Sequence, residues 1–309
     1  MNLTSLINLL LLSAIWGGSF LFLRMAAPAL GPVLLIEFRV GLAALFLLGV
    51  ALLWRKRRHA TAPVQGLQLR RYWKHYLLLG GLNSALPFLL LAYAAQTLTA
   101  SLLSILNATS PVWGALVGAL WARTPLSATT LSGLVVGAAG VAILVSFDRV
   151  TLLPGSGLAI AAALGAALSY GIASNYTRYA THASALAPFN NAHGSMWGAT
   201  LLIAPALLLV PAPPLPGSDI IAAVVTLGVL CSGIAYLLYF RLVADIGPTS
   251  ALTVTFLIPL FGVLWGYGLL DETVGWHTLI GSLTVVTGTA LVTGFSPRAL
   301  FAPRKPSHV

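Results

Sequence analysis

Residues 110–118 read SPVWGALVG, and residues 258–266 read IPLFGVLWG. Proline, an aromatic residue and both glycines of a Gly-x3-Gly recur at an interval of 148 residues. The same interval joins Gly133 to Gly281 and Gly140 to Gly288. With 30 glycines in 309 residues, chance would pair about 0.5 glycines over this stretch, so four pairs mark an internal repeat. Upstream, Trp16-Gly17 is followed seven residues later by Arg24, and Tyr170-Gly171 by Arg178, now at an interval of 154. The second copy is therefore shorter by six residues, and it lacks the long basic loop that follows Trp54.

What kind of unit is repeated follows from composition. The chain is 58% hydrophobic and 7% charged, with a mean hydropathy of +0.94. A soluble domain is usually about one quarter charged, so this chain has too little polar surface to face water and reads as a polytopic membrane protein. A hydrocarbon core of about 30 Å takes about 20 helical residues. Spans are predicted at 5–26, 32–54, 75–95, 98–121, 128–147, 156–177, 185–210, 218–243, 249–270 and 276–295. The proline-rich stretch 211–219 is a loop. The N-terminal segment is a retained helix rather than a signal peptide, because no Lys or Arg precedes Arg24.

Ten spans divide into five per copy: a first unit at 5–147, a second at 156–295, and a tail at 296–309. An odd number of spans starts the second copy on the opposite side, so the fold class is an all-α membrane protein of two inverted five-helix repeats. Orientation follows the basic residues. With the N-terminus cytoplasmic, thirteen of the sixteen Lys and Arg lie inside, including the 55–74 loop and the tail, which is therefore cytoplasmic. The net charge of +10 then reflects topology and anionic headgroups near that loop rather than nucleic acid. One cysteine, Cys231, permits no intrachain disulfide and no multi-cysteine metal site.

The ordered set Trp16-Gly17-x6-Arg24, Phe38-Arg39, Pro-x-x-Gly at 111–114 and 259–262, Asp271-Glu272-Thr273 and Gly281-x6-Gly288 resembles the EamA-type branch of the drug/metabolite transporter superfamily. The resemblance covers roughly residues 5–295. It implies a ten-helix secondary carrier, commonly an exporter of amino acids, other small metabolites or drugs; the composition, rich in Ala, Leu and Gly and poor in Lys, points to a bacterial cell inner membrane, and no cofactor is expected. One departure stands out: where that branch often has an acid after the fourth span, matching Glu272 after the ninth, this chain has Thr124.

Inverted repeats place a substrate site near the midplane between the halves. Candidates for a cavity lining are Trp16 and Tyr170, which are repeat-related mid-span aromatics, with Asn83, Asn107 and Glu37. The stretch PFNNAHGSMWG at 188–198 adds Asn190, His193 and Trp197 on one helical face. Each has a structural alternative, since Asn and His also bond neighbouring helices and mid-span aromatics also pack. Within VLLIEFRV at 33–40, Glu37 either pairs with Arg24 across the 27–31 turn or faces the cavity, binding a substrate ammonium or a proton. Arg39 is not its partner, because i,i+2 side chains on a helix point apart. Glu37 and His193 are the proton-coupling candidates, and the repeat-related Pro111 and Pro259 the hinge candidates. Asp271 and Glu272 suit a helix N-terminus. The Gly-x3-Gly motifs serve packing within one bundle, so no oligomer is required.

Other classes find little support. The sequence has no HExxH, no glycine-rich phosphate loop and no close pair of intramembrane aspartates, which argues against an enzyme. A channel or facilitator is the alternative to a carrier, although no ring-forming filter motif is present.

Overall fold

The computed structural model describes residues 3–57, 66–147, 154–179, 186–211, 213–247, 251 and 253–294. All regular structure among them is helical and falls into ten segments. Segments α1 (3–30) and α2 (32–57) form one run, Leu3–Arg57, that turns at Gly31 (φ 69°, ψ 162°). That backbone conformation is essentially closed to residues with a Cβ, and Pro28 and Pro32 flank it. Then come α3 (Leu69–Ala95), α4 (Ala100–Asn107 and Ser110–Ala122), α5 (Ala128–Phe147) and α6 (Ser156–Tyr179). The chain continues through α7 (Pro188–Ile203, extended by a 3-10 turn at Ala204–Leu209), α8 (Ser218–Ile246), α9 (Val254–Leu270) and α10 (Trp276–Thr293).

The expected spans recur with two differences. Helix α3 starts at Leu69 rather than 75, so Arg70, Arg71 and Lys74 ride on its exposed face instead of in a loop. Tyr72 and Tyr76 on the opposite face pack with Leu186, which extends the helix beyond its apolar run. The fourth span is broken at Ala108–Thr109. Residues 58–65 of the basic loop, Asp148, Arg149 and the 296–309 tail lie outside the described residues.

Large apolar side chains such as Leu260, Leu264, Leu279 and Leu283 point outward, as lipid requires. The helices meet through small residues, which let backbones approach closely. The α5–α10 contact gives the clearest geometry. A Cβ on Gly133 would lie 2.8 Å from the Gly288 carbonyl oxygen and 2.8 Å from Val292 N. One on Gly140 would lie 2.7 Å from Val285 N and 3.0 Å from the Gly281 oxygen. The early glycine of each helix thus touches the late glycine of the other, so the two helices run antiparallel. Exchanging the copies maps this pair of contacts onto itself, which requires a twofold axis perpendicular to the helices. In a membrane that axis lies in the bilayer plane, and the two copies are inverted.

Two further contacts obey the same operation. A Cβ on Gly17 of α1 would lie 3.0 Å from Gly262 N, and one on Gly171 of α6 would lie 2.7 Å from Gly114 N. A Cβ on Gly80 of α3 would lie 2.7 Å from Ala199 N of α7, and one on Gly228 of α8 would lie 3.1 Å from the Arg39 carbonyl oxygen of α2. Helices α3 and α8 also share a local irregularity. Each widens into π-helix, at Gly81–Ala85 and at Thr226–Ile234, and these segments correspond at the 148-residue interval.

The two ends of the bundle are not alike. On the far face, opposite the termini, the first part of α4 packs against α9, with Ser104 under Gly262 and Ser101 under Gly266. On the terminal face, the second part of α4 takes α6, α10 and α5 as its principal neighbours instead. The break between the two parts sits just before Pro111, which has no N–H to give to the Asn107 carbonyl. Ser110 Oγ donates to that oxygen at 2.6 Å in its place. Pro259, in contrast, lies inside an uninterrupted α9.

Candidate functional site

Asn83 and Ser84, in the π-helical segment of α3, lie beside Tyr236, which follows the π-helical segment of α8. Asn83 Nδ2 donates to the Tyr236 hydroxyl at 3.2 Å. Helix α1 supplies Trp16, whose Nε1–H donates to the Cys231 carbonyl at 3.2 Å. That ring lies edge-on to Tyr236 and tilted against Tyr239. A π-turn offsets the backbone ladder by one residue, so carbonyls such as that of Cys231 become free for side-chain donors.

At the centre of this group is Arg39 of α2. It is only 4% exposed. Its Nε–H donates to Ser232 Oγ at 3.1 Å, and Ser232 in turn donates to the Leu227 carbonyl at 3.0 Å. The guanidinium carbon stands 3.7 Å from the centroid of Phe88, a cation–π contact. Tyr170, Cys231 and Tyr236 lie near it. The residues around Arg39 include two repeat-related pairs, Ser84 with Ser232 and Phe88 with Tyr236, each 148 residues apart. The cation therefore sits where the two copies meet.

Three sequence candidates, Trp16, Asn83 and Tyr170, converge here. The others are elsewhere. Glu37 is half-buried on α2, and its Oε2 is sealed without a hydrogen-bond partner. The expected pairing with Arg24 is not formed, because Arg24 caps the end of α3, donating to the Ala95 and Gln96 carbonyls at 2.8 and 2.9 Å. Those carbonyls end a helix and have no partner within it, so the guanidinium satisfies acceptors that the helix leaves open. Asn107 lies at the α4 break with a buried, unpartnered Oδ1. Asn190 is buried on α7. His193 Nε2 accepts from Trp197 Nε1 at 2.9 Å, an i,i+4 pair on α7 flanked by the Phe189 ring. Asn191 Oδ1 and the Tyr176 hydroxyl hold the ring of His75 at 3.0 and 2.8 Å, tying α3, α6 and α7 together.

Two features escaped the sequence reading. In the sequence Arg39 is half of a motif and a rejected partner for Glu37, and the serine and aromatic pairs around it are linked only by the 148-residue interval. Glu272 was placed at a helix boundary, but the helix it serves is remote. It accepts from Ala100 N at 2.6 Å, Ser101 N at 3.0 Å and Ser101 Oγ at 2.6 Å, capping α4 across the repeat interface. Its counterpart Thr124 lines a cavity of about 400 Å³ at the terminal face, with Gly114, Gly118, Ser127, Asn175 and Arg178. Asn175 bridges the walls, donating to the Gly114 and Gly171 carbonyls at 2.8 and 2.9 Å.

The profile of the EamA-like transporter family matches twice, over residues 3–146 and 157–294. The chain belongs to the EamA-like transporter family. An uncharacterized transporter of Archaeoglobus fulgidus is 28% identical over 309 residues, covering 95% of this chain and 98% of its own. Protein PecM of Dickeya dadantii is 24% identical over 292 residues, covering 94% and 92%. One protein of known crystal structure superposes with a TM-score of 0.64 at 16% identity over 96% of this chain and 99% of its own, a likeness of fold alone. Family and fold together make this EamA-like chain a multi-pass membrane transporter, and a transporter of this family takes a small-molecule substrate.

Proposed function

We propose that this chain exports a small organic metabolite, of amino-acid or drug size, across the cytoplasmic membrane by alternating access. The observation that carries the reading is the unequal packing of α4 against α9. The far-face halves are joined through Ser101, Ser104 and Glu272, whereas the terminal-face half of α4 turns away after Ala108–Thr109. This arrangement favours access from one side. Exchanging the roles of the two copies gives the opposite access, which is the advantage of inverted repeats. Pro111 and Pro259 are the hinges in this scheme, one bent at the helix break and one straight.

Both termini and the basic residues after Trp54 belong to the cytoplasmic side, where Arg55, Arg70, Arg71 and Lys74 suit anionic headgroups. The two repeats, 5–147 and 156–295, are the moving units, and a single copy of the chain suffices. Proton coupling is assigned to Glu37, whose unpartnered Oε2 leaves room for a change of protonation. His193 is already committed to Trp197. Trp16, Asn83 and Tyr170 line the substrate path, Asn107 flanks the hinge, and Asn190, His193 and Trp197 form the α7 wall.

The test is counterflow in proteoliposomes loaded with a mixed metabolite pool, with and without a pH gradient. Saturable counterflow stimulated by the gradient is the expected result. Unitary currents without saturation would instead identify a channel.

A further inference from the structure

We propose that Arg39 anchors an anionic group of the transported solute, a carboxylate attached to a small body with an apolar or aromatic face. The proposal rests on the transport reading above and names the solute class for the same central site.

A buried guanidinium is costly unless a counter-ion and hydrogen bonds replace its water. Arg39 lacks the first and is short of the second. No ion pair is formed by it among the described residues. The acids there are engaged or distant in the fold: Glu272 caps α4, Asp245 pairs with Arg241, and Asp219 and Asp271 stand at far-face helix ends. Glu37 is on the same helix two residues away, where side chains diverge. Of the five N–H donors on a guanidinium, only Nε–H is used. The terminal nitrogens meet no acceptor among the described residues, yet they are not among the sealed polar atoms, so they border space that a water molecule can enter.

A planar fork of this kind matches the two oxygens of a carboxylate. The surroundings fit the remainder of such a solute. Phe88 covers one side of the cation, while the partly exposed rings of Trp16, Tyr170 and Tyr236 supply flat apolar wall. Ser84 Oγ is buried beside Tyr236 and adds a polar group to the same wall. A purely structural arginine is the competing view, in which Phe88 and Ser232 are its whole purpose. That view leaves the missing counter-charge and the unused donors without an account.

The experiment uses the purified full-length chain and a matched set of probes: benzoate, benzamide, benzylamine and chloride. Binding is measured by calorimetry. Hydrogen bonds to a charged group contribute about 1.5–3 kcal/mol, so benzoate should bind roughly ten- to a hundredfold more tightly than benzamide. Benzylamine should bind worst. Arg39→Gln should erase the benzoate advantage while benzamide still binds, which shows that the fold and the pocket persist. Should Arg39→Gln not fold, the benzoate-to-benzamide ratio of the unaltered protein and of Arg39→Lys decides the matter.

Equal binding of benzoate and benzamide, no benzoate binding at all, or an advantage that survives Arg39→Gln overturns the proposal. Chloride binding with no carboxylate binding also overturns it, in favour of an inorganic anion. Counterflow of benzoate and benzamide in proteoliposomes separates the two readings. Equal flux of both removes the carboxylate anchor and leaves transport standing, whereas a benzoate preference in binding without flux of any solute removes transport alone.

Discussion

Replacing Glu272 by alanine should open the far face. Its carboxylate takes the N–H groups of Ala100 and Ser101 and the Ser101 hydroxyl, at 2.6, 3.0 and 2.6 Å. Thr99 Oγ1 takes the next N–H, that of Leu102, at 3.1 Å. The first turn of α4 therefore has every donor satisfied, two of its amides by a residue from the other repeat. When the far face opens, α4 and α9 separate and those amides must find water. Glu272 is half-exposed, so its hydrogen bonds belong at the low end of the range for charged groups. A loss of at least about 1.5 kcal/mol of closure is expected, and each 1.4 kcal/mol is about tenfold in population. Ser104, buried beneath this contact, is a suitable reporter once Cys231→Ala removes the native thiol. A membrane-impermeant maleimide applied from the far face should label Ser104→Cys at least about tenfold faster in the Glu272→Ala background. Glu272→Gln, which keeps one acceptor oxygen, should fall between. Unchanged labelling in both variants would refute the idea that this cap holds the far face shut.

Two other outcomes follow from particular contacts. Gly140→Ala forces a methyl group to within 2.7 Å of Val285 N and should lower stability by about 1–3 kcal/mol. Gly49→Ala meets nothing within 4 Å and should be neutral or stabilising by up to about 1 kcal/mol; thermal unfolding in detergent compares the two. Glu37→Gln should leave expression and unfolding unchanged but remove the stimulation of counterflow by a pH gradient, and retained stimulation would move the proton site elsewhere.

Much of the architecture is legible in the sequence because lipid imposes it. Apolar runs of fixed length give the spans, and the recurrence of Pro-x-x-Gly and of paired glycines gives the duplication. Gly133, Gly140, Gly281 and Gly288 prove to be the contact at the twofold axis itself. The π-helical segments in α3 and α8 were not legible, since GLNSA and TLGVLCSGI carry no local signal for an extra residue per turn. Glu37 drew attention as a carboxylate in an apolar run, whereas Arg39, two residues on, occupies the centre. Which of two charges on one helix faces inward depends on helix rotation against α3 and α8, and that is set by packing of Gly228 against Leu42 rather than by the pattern of α2. The capping of α4 by Glu272 joins residues more than 170 positions apart, beyond the reach of any local rule.

The central claim is that the bundle admits solute from one side at a time. Ala115, on the cavity wall at the terminal face, tests it when changed to cysteine in the Cys231→Ala background and exposed to an impermeant maleimide from either side of sealed vesicles. Labelling from the side of the termini with protection from the far side is the predicted result. Equal labelling from both sides, or labelling from the far side alone, would contradict it.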